Sequence, residues 1–379
     1  MFSESSFPPT DCPAMAMRCG DVPTPALVID AVITRRNLQR MADYTAAHGL
    51  GLRPHTKTHK SQRLGALQLS LGAAGLTVAK AGEAECMGET GASLLVAYPA
   101  LDPARTRRLA ALARKVSICI AADTATAITR LAEAAQAAHS ELGILIDLDV
   151  GLGRTGVGTP EAALALAQRV SRTRGLRLDG LFCYPGHIWA PVAEQASALQ
   201  AVAAQLDESR SLWKRHGLEA RIVSGGSTPT AFQSHLVKPY TEIRPGTYVF
   251  NDMNTVRGGF CTLADCAAAI VCTVVSDAVR GKVVVDGGTK TFTSDLCQPA
   301  KESGHGFIVE YPAATLTRLS EEHGEVDITR CRTRPQVGER VTVIPNHICP
   351  CINLRDAFWW LEPGEAPQAL PVDARGLLS

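Results

Sequence analysis

At 379 residues the chain is too long for one ordinary core, which predicts a large α/β domain and a second, smaller one. Apolar residues make up 46% and charged residues 20%, the texture of a folded globular protein and not of a disordered or fibrous one. A net charge of +1 gives no general attraction to nucleic acid or to an anionic membrane, so neither is expected as a partner and small-molecule chemistry is favoured.

The start, Met1-Phe2-Ser3-Glu4-Ser5-Ser6, lacks the basic and apolar regions of a signal peptide and reads as a loosely held arm. No apolar run approaches the roughly eighteen residues of a transmembrane helix. The twelve cysteines are scattered through strand-like and helix-like segments, as expected of reduced, mostly buried thiols in a cytoplasmic protein.

In chain order, Ala26–Asp30 reads as a strand and Thr34–His48 as a helix. Eight short apolar runs follow: Leu50–Arg53, Leu76–Lys80, Leu94–Ala97, Val116–Ala121, Gly143–Val150, Leu178–Tyr184, Ala220–Ser224 and Thr241–Arg244. Segments of helical periodicity lie between them, such as Thr124–Ala138, Pro160–Thr173 and Val192–His216. Eight strands alternating with helices over about 200 residues predict a (β/α)8 barrel, with a doubly wound open sheet as the competitor. After Gly246 the periodicity changes to short strands and turns, including Ala268–Ser276, Lys282–Asp286, Arg340–Pro345 and Ala357–Leu361. The expected division is a barrel over 24–258 and a β domain over 259–379, with residues 1–30 pairing with the latter.

Barrel active sites collect at the C-terminal ends of strands, which directs attention to what each run delivers. The first delivers Pro54-His55-Thr56-Lys57-Thr58-His59-Lys60, a cluster of imidazoles and amines that no packed core would choose. In an extended segment Lys57 shares a face with His55 and His59, and neighbouring cations lower an amine's pKa toward nucleophilic reactivity. A carbonyl cofactor held on Lys57 as a Schiff base is the natural use; the plain reading is a solvated basic loop.

The fifth run ends in Gly151-Leu152-Gly153-Arg154-Thr155-Gly156, which matches a dinucleotide fingerprint only in its glycines. Arg154 inside it is better suited to meet a phenolate or carboxylate. The sixth ends in Tyr184-Pro185-Gly186-His187. The seventh ends in Ser224-Gly225-Gly226-Ser227-Thr228 before a helix expected near Thr230, which makes either a phosphate cradle or a capped tight turn. Tyr248, after the eighth, is a candidate donor to the same phosphate. In Pro345-Asn346-His347-Ile348-Cys349, an extended backbone puts His347 and Cys349 on one face, able to share a soft divalent ion and leave positions open, unless both are structural.

Together these motifs resemble the D-threonine aldolase and D-serine dehydratase family of fold-type III pyridoxal-phosphate enzymes, with their alanine-racemase-like barrel and C-terminal β domain. The resemblance runs from Thr24-Pro25 to Arg375-Gly376. Its motifs are His55-x-Lys57, Gly153-Arg154-x-Gly156, Ser224-Gly225-Gly226-Ser227-Thr228-Pro229-Thr230, Arg244-Pro245-Gly246-x-Tyr248, Glu322-His323-Gly324 and Pro345-Asn346-His347-x-Cys349.

It implies that Lys57 carries the cofactor, with His55 and Tyr184 beside it, and that Arg154 meets the cofactor's phenolic oxygen. Ser224, Gly225, Gly226, Ser227, Thr228 and Tyr248 would hold its phosphate. His347 and Cys349 would bind a divalent metal (Zn, Mn, Mg or Co) that takes the β-hydroxyl of a D-amino acid, in a homodimer.

His-x-Cys and the Gly226–Thr230 turn look like the dehydratase branch, whereas Tyr184-x-Gly186 and Asp286-x-Gly288-x-Lys290 look like the aldolase branch. The first expectation is a D-threonine aldolase, in which His187, His59 or a metal-bound hydroxide removes the β-hydroxyl proton and the substrate splits into glycine and an aldehyde. The alternative is a D-serine or 3-hydroxy-D-aspartate dehydratase, in which Lys57 removes the α-proton. An amino-acid racemase and a non-catalytic cofactor carrier are more remote.

Overall fold

The computed structural model describes residues 14–297 and 301–379, so the N-terminal arm Met1–Ser6 lies outside the described residues. The chain forms two compact units. One comprises the chain up to Leu38 with Thr247–Arg375, and the other Gln39–Gly246 with Gly376–Ser379.

The second of these is a (β/α)8 barrel. Its strands are Gly51–Leu52, Leu76–Val78, Leu94–Val96, Ile118–Ala122, Leu142–Asp147, Leu176–Phe182, Ile222–Gly225 and Glu242–Ile243. All pair in parallel with their chain neighbours from Leu76–Val78 to Glu242–Ile243, and Glu242 returns to Gly51. A parallel bridge between His55 and Thr77, with Thr77 N–H donating to Pro54 O at 2.9 Å, closes the ring between the first two strands. Closure rules out the open doubly wound sheet.

Leu95, Ala121, Leu145 and Phe182, one from each of four successive strands, pack together as a buried apolar cluster. Helix starts are set locally: Asp102, Thr124 and Thr159 cap their helices through side-chain oxygens, and Pro103 and Pro160 occupy first-turn positions where a missing N–H costs nothing.

The other unit is mostly strand. Ala26–Asp30 pairs antiparallel with Ala268–Ser276 and parallel with Ala357–Leu361, and Ala268–Ser276 also pairs with Arg340–Pro345. Val28, Val271, Phe307, Ile344 and Leu361 lie in its core. The unit takes in chain from Thr247, where the periodicity of the sequence changes, and so includes 247–258 as well as the 259–379 assigned to the β domain. The reason is a buried carboxylate: Asp252 caps the helix Met253–Arg257 and accepts Ile348 N–H at 3.1 Å, while Asn254 N–H donates to Asn346 O. These bonds tie the segment to the end of Arg340–Pro345. The final residues return to the barrel, where Gly82 N–H donates to Ser379 O at 3.0 Å.

The described cysteines are all free thiols, and no helix among the described residues is long and apolar enough to cross a membrane.

Candidate active site

The Lys57 segment is not extended. Thr56–Thr58 form a 3-10 turn capped by His55, whose Nδ1 accepts the Lys57 N–H at 3.3 Å. Thr56 O accepts two amides, from His59 at 3.1 Å and from Lys60 at 2.8 Å, and Lys60 takes a left-handed φ of 50° to complete the turn. The turn exposes Lys57 and buries Thr56, Thr58, His59 and Lys60. Lys60 meets Glu83 at 2.7 Å, and the second oxygen of Glu83 accepts Ala79 N–H. Burial, followed by the Lys57 and Arg244 charges, holds His55 well below the usual imidazole range, so it is a neutral acceptor beside Lys57.

His59 is corrected by its surroundings. It is fully buried, its Nδ1 accepts Ser61 N–H at 3.1 Å, and its Nε2 faces Gln68 Oε1 at 3.2 Å. Burial pushes it down to about 4. Both nitrogens are engaged inside the wall, which leaves neither open to the strand ends.

At the fifth strand, Leu148 and Val157 pair, so the chain leaves and rejoins the strand instead of opening a helix. Gly151, Gly153 and Gly156 all adopt positive φ (119°, 68° and 100°), and Asp149 accepts the amides of Gly151 and Gly153. The glycines therefore serve a tight loop, which disposes of the dinucleotide reading.

The loop presents Arg154 outward, its guanidinium 5.0 Å from the centre of the Tyr184 ring. That ring fills the space a side chain at Gly186 would need, 2.2 Å from its Cβ position. Exposed His187 lies against Gly151, where a Cβ would stand 2.9 Å from Nε2. Arg154, Tyr184 and His187 thus form one patch at the barrel's C-terminal end. Behind it, burial raises Asp147 to about 6.

At the seventh strand, Ser224 is fully buried; its hydroxyl donates to Glu242 at 2.6 Å and accepts from Arg244 at 2.7 Å. That hydroxyl is spent inside the barrel, so Ser224 is removed from the phosphate donors. Gly225 backs onto the Tyr240 ring, 2.2 Å from where a Cβ would stand, and Gly226 takes a φ of 80°. Ser227 Oγ lies 3.0 Å from Thr230 Oγ1, and Thr228 is half-buried. The segment that follows is a six-residue 3-10 stretch, Ala231–Leu236, so no α-helix N-terminus stands behind the turn.

Arg244 has a part that strand counting alone did not assign. It is buried, donates to Cys183 O at 2.7 Å and lies 3.8 Å from the Phe182 ring centre, placing a fixed cation under the strand ends. Its sequence signals are a charged residue at the end of an apolar run and its place at the head of the Arg244-Pro245-Gly246-x-Tyr248 motif.

In the β unit, Tyr248 is buried on the 3-10 turn Thr247–Val249. His347 caps the short helix Ile348–Asn353 and Cys349 lies in its first turn, so the pair is brought together by a helix start and not by an extended strand. His347 Nδ1 is 3.0 Å from Asp295 Oδ2. Burial opposes the charge on His347, but hydrogen bonding to Cys349, the charges of Cys349 and Asp252, and the Asp295 hydrogen bond outweigh it and hold the imidazole up at about 9. Cys351 points inward, with Sγ donating to His347 O at 3.2 Å.

Among the described residues no group of three or more His, Cys, Asp and Glu is arranged to hold a metal. An imidazole and a thiol side by side fit two positions on a divalent ion and leave the rest open. Exposed Lys57, outward Arg154 and the Gly225–Thr228 turn likewise fit an aldehyde cofactor carrying a phosphate.

The description "Alanine racemase, N-terminal domain" matches residues 29–254 and "Putative serine dehydratase domain" matches 267–360. A 3-hydroxy-D-aspartate aldolase of Paracoccus denitrificans is 31% identical over 97% of this chain and 96% of its own. A D-threo-3-hydroxyaspartate dehydratase of Delftia sp. is 31% identical over 86% of this chain and 90% of its own. The crystal structure of D-threonine aldolase from Filomicrobium marinum superposes with a TM-score of 0.86 at 29% identity, covering 95% of this chain and 97% of that one. Closed barrel, β unit and two matching domains in order lead to one conclusion: the chain belongs to the D-threonine aldolase and D-serine dehydratase family of fold-type III pyridoxal-phosphate enzymes.

Proposed function

We propose that this chain is a pyridoxal-phosphate- and divalent-metal-dependent lyase acting on D-β-hydroxy amino acids, and that it cleaves D-threonine to glycine and acetaldehyde as a homodimer. The observation that carries the reading is Lys57, an exposed amine at a barrel strand end on a turn whose other polar side chains point inward. When bound, the cofactor supplies an electron sink for the carbon bearing the amino group, and the metal supplies a Lewis acid for the β-hydroxyl.

The chain's own residues do the rest. The Lys57 amine is the covalent anchor. Arg154 offers its guanidinium to the cofactor's phenolic oxygen, and Tyr184 holds that guanidinium in place from below. Gly226 and Thr228 offer an amide and a hydroxyl to the phosphate, while Thr230 Oγ1 engages both the amide and the hydroxyl of Ser227. His187, exposed and beside Arg154's loop, takes the proton of the β-hydroxyl. With His59 enclosed in the wall, His187 is the imidazole left for that task, which favours aldol cleavage.

One observation favours the dehydratase as a second reading: the thiol of Cys349 is hydrogen-bonded to His347, a His-x-Cys pair rather than His-x-Asp. Loss of the β-hydroxyl would then yield a 2-oxo acid and ammonia, with Lys57 moving the α-proton. Incubating the loaded enzyme with D-threonine separates the two. Glycine and acetaldehyde are expected; 2-oxobutyrate and ammonia would replace the aldolase with the dehydratase, and neither product would remove both.

A further inference from the structure

Asp295 belongs to none of the family motifs, yet its loop is held in place at several points. Thr293 has φ 65° and ψ −176°, a conformation that a β-branched residue adopts only under strain. Its hydroxyl accepts Asp295 N–H at 3.3 Å. Asn346, buried and adjacent to His347, spends one amide hydrogen on Asp295 O at 3.0 Å and the other on Gly304 O at 2.7 Å. The carboxylate of Asp295 then reaches His347 Nδ1 at 3.0 Å. On the other side, Asp252 Oδ2 accepts Ile348 N–H and so fixes the backbone that follows His347. One carboxylate sets the main chain and the other sets the ring.

An imidazole binds a metal through one nitrogen only when the proton sits on the other, and a carboxylate at that second nitrogen selects this tautomer. We propose that Asp295 is a positioning residue for metal binding: it accepts the Nδ1–H of His347, which leaves the Nε2 lone pair free to bind a divalent ion together with the Cys349 thiolate. The inference rests on the metal dependence proposed above and adds a residue that touches neither substrate nor cofactor. Asp295 is exposed at the surface, so its replacement leaves the core intact.

The test uses the cofactor-loaded protein, stripped of metal by dialysis against a chelator and titrated calorimetrically with Zn2+. Asp295→Ala is expected to weaken Zn2+ binding about 10–100-fold with an unchanged unfolding midpoint. Asp295→Asn, whose amide oxygen still accepts the Nδ1–H, is expected to lose several-fold less. Nitrogen NMR of the Zn2+-loaded protein should show a protected Nδ1–H on His347 in the wild type and its loss to exchange in Asp295→Ala. Wild-type affinity in Asp295→Ala, or an unaltered His347 ring signal, would overturn the proposal. So would equal losses in the two variants, which would make Asp295 a direct ligand through its charge. A wild type that binds no Zn2+ would remove the metal reading and this inference with it, while leaving the Lys57 reading in place.

Discussion

The two candidate sites are built in opposite ways. At the barrel's C-terminal end, Lys57, Arg154, His187 and the Gly225–Thr228 turn come from four strand ends spread along the chain. Ring closure alone brings them to one end. In the β unit, His347 and Cys349 are two residues apart and meet through a single helix start. The first arrangement depends on the whole barrel and tolerates little freedom at any one turn; the second depends on two aspartates that fix a backbone and a ring. The candidate cofactor site is distributed along the chain, whereas the candidate metal pair is assembled locally.

The largest effect that sharpens this contrast is expected at Lys57. Lys57→Ala should abolish the cofactor's visible absorbance and lower turnover by about 10^4-fold or more, with Zn2+ content unchanged. Retained absorbance would break the assignment, and lost Zn2+ would show that the two sites are not independent. Next comes His187→Gln, for which kcat should fall about 10²–10³-fold at an unchanged unfolding midpoint. His59→Gln should do the reverse, leaving kcat nearly intact while lowering stability. If the two variants exchanged phenotypes, His59 would return as the base.

His59 also gives a pH signature that belongs to the barrel and not to the β unit. Its pKa is depressed in the fold, to about 4. Its contribution is therefore present above the unfolded value near 6.5 and lost as the pH falls through 4, roughly 3 kcal/mol in all. Denaturant titrations at pH 7 and pH 4 should show that loss in the wild type and a smaller one in His59→Gln; parallel curves would contradict it.

The smallest effect is expected at Cys351. Cys351→Ser should leave Zn2+ content unaltered and cost about 1 kcal/mol, because its thiol packs inward against His347 O, whereas Cys349→Ser should lower Zn2+ content. Equal metal loss in both would mean that the pair is misassigned.

The architecture was largely legible in the sequence. Eight apolar runs matched eight strands to within a few residues, because parallel strands buried on both faces read as near-continuous apolar segments. Arg340–Pro345 and Ala357–Leu361 were legible to the residue. The Lys57 turn was not, since a lysine two residues from a histidine on either side is equally compatible with a strand and with a 3-10 turn. The choice was made by Thr56 O, which takes two amides, and by Lys60, drawn into a left-handed turn beside Glu83.

Composition and motif spacing by themselves determined the barrel, the β unit and the polar groups placed at each strand end. Only the tertiary structure decided which of those groups remain available. Ser224 and His59 have the residue types a cofactor site requires, but Glu242, Arg244 and Gln68 occupy their polar atoms inside the wall. Buried polar atoms must find partners, and those partners lie elsewhere in the chain, where spacing carries no signal. Asp295 is the converse case, a surface carboxylate whose relation to His347 exists only once the Thr293 loop is closed.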